Sequence, residues 1–408
     1  MAWHKEKKID ITLKIFIFLV SPFFSFFYSF KYIKTKSSFV FFFLIALFFG
    51  MAFTVPKGDL LGSTYDGSYY REQFELFRSA SYLNYLDGLK DFLTFNKGRK
   101  DYYFETVAFF VSRITNNYHW LFLAFAAVFA FFALKCLKFL TSENNFNSSR
   151  SSFILLYLFM MNQIFNINGV RFWTAAWIGV YCIFQIFRNG NTKYFLLAFC
   201  LPFVHGSYWF FIGVILIAFF LRKFEKVWVI LFFASFLVSS IAVEVLIDAS
   251  NHLPPFLQSL IQSYSSTESL AKFNDQGEGF SWIARLSNFA VRLYINLMMY
   301  FFIKNSEKIK ANYRSKNLYT FLLVYMSIIN FTMPIPSFGV RFVMLAYPII
   351  AYIWLVNFKG KRYKQFLYAL PLVFWFVIYG QIVLYLSVLH FDFYISNPFY
   401  LIYKYLLA

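Results

Sequence analysis

The chain of 408 residues is 60% hydrophobic and 25% aromatic, with 14% charged residues, against about a quarter charged in an ordinary soluble domain, so a water-soluble fold is excluded. Its formal net charge of +19 would suit a nucleic-acid partner in a soluble protein. Here Lys and Arg fall in short clusters between apolar runs, as in cytoplasmic loops of membrane proteins, and no nucleic acid is expected.

The remaining apolar runs, many of about 18 to 25 residues, are long enough for a hydrocarbon layer of roughly 30 Å, where helices alone satisfy the backbone. The expected fold is all-α: a polytopic integral membrane protein, residues 1–408 forming one transmembrane domain with about 11 transmembrane helices, in the range 10–13. A first segment, 9–30, follows the basic start at Lys5, Lys7 and Lys8. Ser21-Pro22 leads into bulky Phe and Tyr with no small-residue cleavage site, so this segment is expected to be retained. A second segment covers 39–55. The polar stretch 56–103 follows, holding Asp59, Asp66, Glu72, Glu75, Asp87, Asp91 and Asp101, and its Tyr and Phe spacing predicts amphipathic interfacial helices. Later spans are placed at 120–140, 152–167 and 170–187. A pair at 194–204 and 208–221 is interrupted by His205-Gly206-Ser207, and further spans lie at 227–247, 281–303, 318–333, 340–357 and 365–389. The three cysteines, Cys136, Cys182 and Cys200, have unrelated spacings in apolar surroundings and read as small hydrophobes.

Five basic clusters set the orientation: Lys135, Lys138 and Arg150; Arg188 and Lys193; Arg222, Lys223 and Lys226; Lys304 to Lys316; Lys359 to Lys364. All share one side, the cytoplasm, if 194–221 goes out and returns with His205 at its outer turn. The loop 56–103, the 162–169 turn, a second external loop at 248–280 and the 334–339 turn then face outward. If Lys31, Lys34 and Lys36 are also cytoplasmic, the basic N-terminus is external or the first segment lies in the interface, and the later clusters favour that start.

Charge at a membrane rim is costly unless solvated or paired, which singles out Arg171, Arg285, Arg292 and Arg341. Arg171 and Arg341 open spans at the outer end, and a planar guanidinium matches phosphate oxygens; the other reading is an anchor that snorkels to water. Arg285 and Arg292, seven residues apart, share a helical face. His205 interrupts an apolar run beside Gly206 and Ser207, and imidazole can move a proton or steady a leaving phosphate; it also suits a hydrogen-bonded helix break. Asp66, in Asp66-Gly67-Ser68-Tyr69-Tyr70, suits a sugar site, with Tyr69 and Tyr70 offering ring faces to pyranose C–H groups; Asp-Gly also favours a turn. Glu105, Glu244 and Asp248 are weaker candidates. There is no phosphate loop, dinucleotide turn, His-Glu-x-x-His or Cys-x-x-Cys, which excludes ATP-driven transport by this chain alone and zinc hydrolysis, and no cofactor is expected.

Taken in order, Thr64-Tyr65-Asp66 with Tyr69-Tyr70, Val170-Arg171-Phe172, Val204-His205-Gly206-Ser207, and Val340-Arg341-Phe342 with Tyr347 resemble the EpsG family of exopolysaccharide proteins, related to Wzy-type (O-antigen-like) polymerases. The resemblance covers roughly residues 40–350. It departs in lacking a basic residue at Gly50 to Phe53, with Lys57 as the stand-in. It implies a GT-C-like helical bundle in the bacterial inner membrane, a metal-independent glycosyltransferase that polymerises undecaprenyl-pyrophosphate-linked units on the outer face, and a polysaccharide co-polymerase as partner. Arg171 and Arg341 would bind the donor pyrophosphate, with Asp66 or His205 acting on the acceptor hydroxyl. A lipid-linked oligosaccharide flippase, or a non-catalytic component of envelope assembly, are the competing classes.

Overall fold

The computed structural model describes residues 3–55, 66–250, 281–335 and 338–407, and these are helices joined by turns and loops, with no strand among them. Four helices are long and apolar enough to cross a membrane: Tyr118–Thr141, Arg150–Arg188, Trp282–Lys304 and Phe338–Asn357. A fifth is obtained if Lys361–Val373 and Trp375–Val388, bent by 49°, form one span. Shorter apolar helices, Lys36–Ala52, Tyr103–Ser112, Tyr194–Val204 and Tyr208–Leu221, fill out the bundle.

The expected first span at 9–30 is corrected to a hairpin. Pro22 has no N–H to continue the preceding helix, so Lys8–Val20 stops and Pro22–Lys31 starts anew, with the Ser21 hydroxyl capping the Phe24 N–H. At 13 and 10 residues, neither helix can cross a bilayer alone. They fold back on each other: Tyr28 and Tyr32 both donate to Asp10 Oδ1, the latter at 3.0 Å, and the His4 N–H reaches the Lys34 carbonyl. Lys14, fully buried in the hairpin, is satisfied by Glu6, Thr35, Ser37 and Ser38. The basic start therefore lies at the same end as Lys31 and Lys34, and the conflict between them disappears without moving the N-terminus to the other side.

The stretch Arg150–Arg188, long and apolar enough in total, is not one straight helix: it reverses between Arg150–Phe159 and Val170–Ile183. Asn162 donates to the Trp173 carbonyl and its own carbonyl accepts from Trp177 Nε1, both at 3.0 Å; along a straight helix, residues 11 apart would stand about 16 Å from each other. The bend falls where Asn166 and Gly169 interrupt the apolar run.

All five later basic clusters gather at one end. Glu143 accepts from Arg188 at 2.8 Å, from Arg314 at 2.5 Å and from Tyr352 at 2.5 Å. Lys310 pairs with Glu225 at 3.1 Å beside the 222–226 cluster, and Asn145 donates to the Leu355 carbonyl just before the 359–364 cluster. The opposite end is closed by Thr54 N–H on the Val388 carbonyl and by Asn117 on the Tyr405 carbonyl.

Helices Lys36–Ala52 and Tyr118–Thr141 approach so closely that a β-carbon at Gly50 would lie 2.4 Å from Ala126 Cβ and 2.5 Å from the Phe122 carbonyl. Neither neighbour can swing aside, so Gly50→Ala must separate the helices. The expected cost is about 1–3 kcal/mol, read as a lower unfolding temperature of the purified protein in detergent; an unchanged temperature would contradict this packing.

Candidate functional site

At the end opposite the basic clusters, three segments distant in sequence meet. The helix Val170–Ile183 starts there because Gly169 ends the preceding turn, which puts Arg171 one residue inside. Its Nη1 donates to Asp101 Oδ1 at 3.0 Å and its Nε to the Tyr70 hydroxyl at 3.3 Å. Asp101, 7% exposed, accepts from the Gly206 N–H through its other oxygen, at 3.3 Å. One carboxylate thus joins the loop end, the Arg171 helix and the His205 turn. The turn can come this close because residue 206 is glycine: a β-carbon there would sit 2.6 Å from the Lys100 carbonyl. A backbone bond from Tyr102 N–H to the Phe203 carbonyl, 2.9 Å, holds the same junction.

Phe172 is the hub between the remaining groups. His205 meets its ring edge-on at 5.3 Å, and the Arg341 guanidinium lies over it at 5.7 Å. Phe342 and Tyr208 pack on it as well, with the Tyr208 hydroxyl on the Phe172 carbonyl at 3.0 Å. Arg341, half-buried, makes no hydrogen bond or ion pair among the described residues. Arg171, by contrast, has its charge matched by Asp101, with Nη2 left unbonded among the described residues.

His205 Nδ1 accepts the Ser207 N–H at 3.3 Å and lies 2.8 Å from the Ser207 hydroxyl. A backbone N–H can only donate, so Nδ1 is the acceptor and Nε2 carries the proton. Burial first, then the charges of Arg171, Arg341 and Lys100, push the His205 pKa down to about 3. Burial also raises the Asp101 carboxyl, against the pull of Arg171 and the Gly206 N–H.

Asp66 begins the helix Asp66–Phe77, where a carboxylate faces the positive end of the helix dipole. The Asp-Gly pair is a first helical turn here and not a hairpin turn. The Gly67 N–H docks on Asn168 Oδ1 at 3.1 Å, and Asp66 Oδ2 stands 3.3 Å from where a β-carbon on Gly169 would be, two residues from Arg171. Asp66 is exposed, with no partner among the described residues. Of the two tyrosines, Tyr69 is 52% exposed and presents an open ring, while Tyr70 is buried between Phe104 and Phe125 and holds Arg171 in place.

Asp66, Tyr69, Tyr70, Arg171, His205 and Arg341 are therefore neighbours. Arg285 and Arg292 stand apart on the helix Ser281–Lys304, Arg285 exposed and Arg292 half-buried near Tyr347. Thr64, Tyr65, Asp59, Lys57, Pro336 and Ser337, residues 251–280 of the expected 248–280 loop and the side chains of Glu244 and Asp248 lie outside the described residues. Asp101 is the site residue that sequence reasoning passed over as one of seven loop acids. Its signal was Asp101-Tyr102-Tyr103 directly before an apolar helix, an acid and paired tyrosines as at Asp66.

Apolar helices long enough to cross a bilayer define a membrane protein, and the charged cluster at one rim is its candidate site. The model of the EpsG family matches residues 50–404, most of the chain, and the chain belongs to that family, as an exopolysaccharide polymerase-like membrane protein. No curated protein and no solved structure matches it at a significant level.

Proposed function

We propose that this protein is a Wzy-type glycosyltransferase of the bacterial inner membrane, with about eleven spans, joining undecaprenyl-pyrophosphate-linked oligosaccharide units on the outer face into an exopolysaccharide, capsular or O-antigen-like polymer. One observation carries the reading. The charges of two guanidinium groups act on His205, Arg171 held by Asp101 and Tyr70 and Arg341 lying over the Phe172 ring without a counter-ion among the described residues, and the exposed Asp66 carboxylate stands beside Gly169, two residues from Arg171.

In the reaction, Arg171 and Arg341 bind the donor's pyrophosphate. An acceptor sugar hydroxyl, its proton passing to the Asp66 carboxylate, attacks the donor's anomeric carbon. The new glycosidic bond forms as the anomeric carbon–oxygen bond to pyrophosphate breaks, and the electron pair leaves with undecaprenyl pyrophosphate. Fixed guanidinium charges aimed at that leaving group do the work of a divalent ion, with no reorganisation at the moment of reaction. Tyr69 offers a ring face to the sugar. Neutral His205 donates through Nε2 to the departing phosphate and is too weak a base to take the hydroxyl proton.

Purified protein in lipid nanodiscs, given defined lipid-linked oligosaccharides, is expected to build a ladder of longer chains. Asp66→Asn is expected to slow it by roughly 10²–10⁴-fold with the same amount of protein in the membrane. Absence of any ladder from the wild type would sink the assignment.

The state of His205 has its own test. Its pKa is lowered, so the fold prefers the neutral ring; the associated stability is complete above the ordinary value of 6.5 and is lost as pH falls from there towards about 3. Between about pH 5 and 8, the kcat/KM profile of wild type and of His205→Gln should run parallel. A limb near 6.5 that vanishes in His205→Gln would overturn the neutral assignment.

A further inference from the structure

Several cations of the bundle have their acid: Lys14 has Glu6, Arg171 has Asp101, and Arg188 and Arg314 share Glu143. Arg292, like Arg71 and Arg341, has none among the described residues; Arg71 has the Val55 carbonyl and the Tyr118 ring, and Arg341 the Phe172 ring, but Arg292 has no such contact among the described residues. It is half-buried on the helix Ser281–Lys304, its Nε is sealed from solvent without a hydrogen-bond partner, and its terminal nitrogens make no bond among the described residues. Its electrostatic neighbour is the phenol of Tyr347.

One turn below, Asn296 donates to the Arg292 carbonyl at 2.9 Å and accepts from Asn330 at 3.0 Å. Asn330, 4% exposed, has a carbonyl oxygen that is also buried without a partner. A charge and an amide left incomplete in an apolar bundle are unfavourable unless something supplies the missing partner.

The level of this cluster is fixed by its contacts. Asn330 lies one residue before the end of Tyr313–Phe331, and Gly339 packs directly on the backbone of Thr332 and Met333 just beyond it. Arg292 is a turn further from the basic end than Asn296, so it stands at the same rim as Arg341. Arg285, seven residues outward on the same helical face and exposed, adds positive charge on the approach.

We infer that Arg292 is a second phosphate-binding position, separate from Arg171 and Arg341, and that it holds the pyrophosphate of the acceptor. This rests on the polymerase reading: two lipid-linked molecules react, one gives up its pyrophosphate, and the other keeps it while its distal sugar attacks. The retained charge needs a fixed partner at the rim, and the unmatched guanidinium, with its buried amide neighbours, supplies one.

The test is the binding stoichiometry of radiolabelled undecaprenyl pyrophosphate on the full chain, in micelles containing excess phosphatidylglycerol. Wild type should bind two molecules per chain, Arg292→Ala one, Arg341→Ala one and the double variant none. One molecule on wild type, kept by Arg292→Ala and lost by Arg341→Ala, overturns the inference and leaves the polymerase site intact. One molecule lost by Arg292→Ala and kept by Arg341→Ala supports the Arg292 position and sinks the Arg341 reading. If phosphatidylglycerol empties the Arg292 position, it holds an ordinary membrane lipid and the inference fails. Should Arg292→Ala bind nothing, Arg292→Lys decides: two molecules support the proposal, and fewer overturn it.

Discussion

Arg171→Ala is expected to lose polymer formation and part of the fold, while Arg341→Ala loses polymer formation alone. In the proposed reaction both variants remove a guanidinium that meets the leaving pyrophosphate, and deleting one such group costs roughly a thousandfold in rate. Their structural consequences differ. Arg171 shares its charge with Asp101, 6% exposed in its side chain, and its Nε holds the Tyr70 hydroxyl. Without Arg171, Asp101 is buried facing only the Gly206 N–H, and the junction of loop, helix and turn loses its central tie. Breaking a buried pair from one side costs about 3–5 kcal/mol; Arg171 is 33% exposed, so solvent screening brings the expectation down to about 2 kcal/mol. Arg341 has no such partner, so Arg341→Ala should unfold at the wild-type temperature. Equal unfolding temperatures for the two variants, or polymer of full length from either, would contradict this division. The companion substitution Asp101→Asn keeps the size but removes the counter-charge, and should lower chain extension by loosening Arg171 without touching substrate itself.

The rim of the site was legible in the sequence because charge inside apolar runs is rare and conspicuous. Arg171 and Arg341 each open a span and His205 interrupts an apolar run, and in the structure Arg341 and His205 meet on the Phe172 ring while the charge of Arg171 also reaches His205. Asp101 was hidden for the opposite reason: in a loop rich in acids, nothing local distinguishes the one that turns inward, since its burial is set by Arg171 and Gly206, 70 and 105 residues away. Tyr69 and Tyr70 read alike as neighbours, yet successive positions on a helix point about 100° apart, so one is open and the other buried. The helical bundle itself followed from hydropathy, but hydropathy reads 9–30 as one segment, with Ser21-Pro22 arguing only against cleavage. What hydropathy missed there was direction, because a proline between two apolar halves marks a kink or a reversal equally well. The reversal depends on Asp10 meeting Tyr28 and Tyr32 and on the Lys14 cluster, contacts that only the folded hairpin creates.

The largest stability loss is expected at the other end of the molecule, from Glu143→Ala. Glu143, 3% exposed, lies just past the helix Tyr118–Thr141 and gathers Arg188, Arg314 and Tyr352, while its carbonyl receives Lys34 at 3.5 Å. Burial works to raise its carboxyl, but the three donors prevail and hold it below the usual carboxylate range. Arg188 also donates to the Tyr352 hydroxyl at 2.6 Å, so Glu143, Arg188 and Tyr352 close a triangle that Arg314 joins through Glu143. Removing the carboxylate leaves two guanidinium groups facing each other with no acid between them, at the point where the helices carrying Arg188, Arg314 and Tyr352 converge. A loss of about 3–5 kcal/mol follows, seen as poor recovery of folded protein from membranes and a much lower unfolding temperature. Glu143→Gln, which still accepts hydrogen bonds but carries no charge, should fall between. Because the wild-type carboxyl is depressed, its contribution is present above about pH 4.5 and lost as pH falls below it, so the gap between wild type and Glu143→Gln should narrow in acid. The proposed catalytic groups lie at the far rim, so the surviving folded fraction of Glu143→Gln should extend chains at the wild-type rate per molecule. A variant of normal stability with slow chain extension would instead tie this network to the reaction.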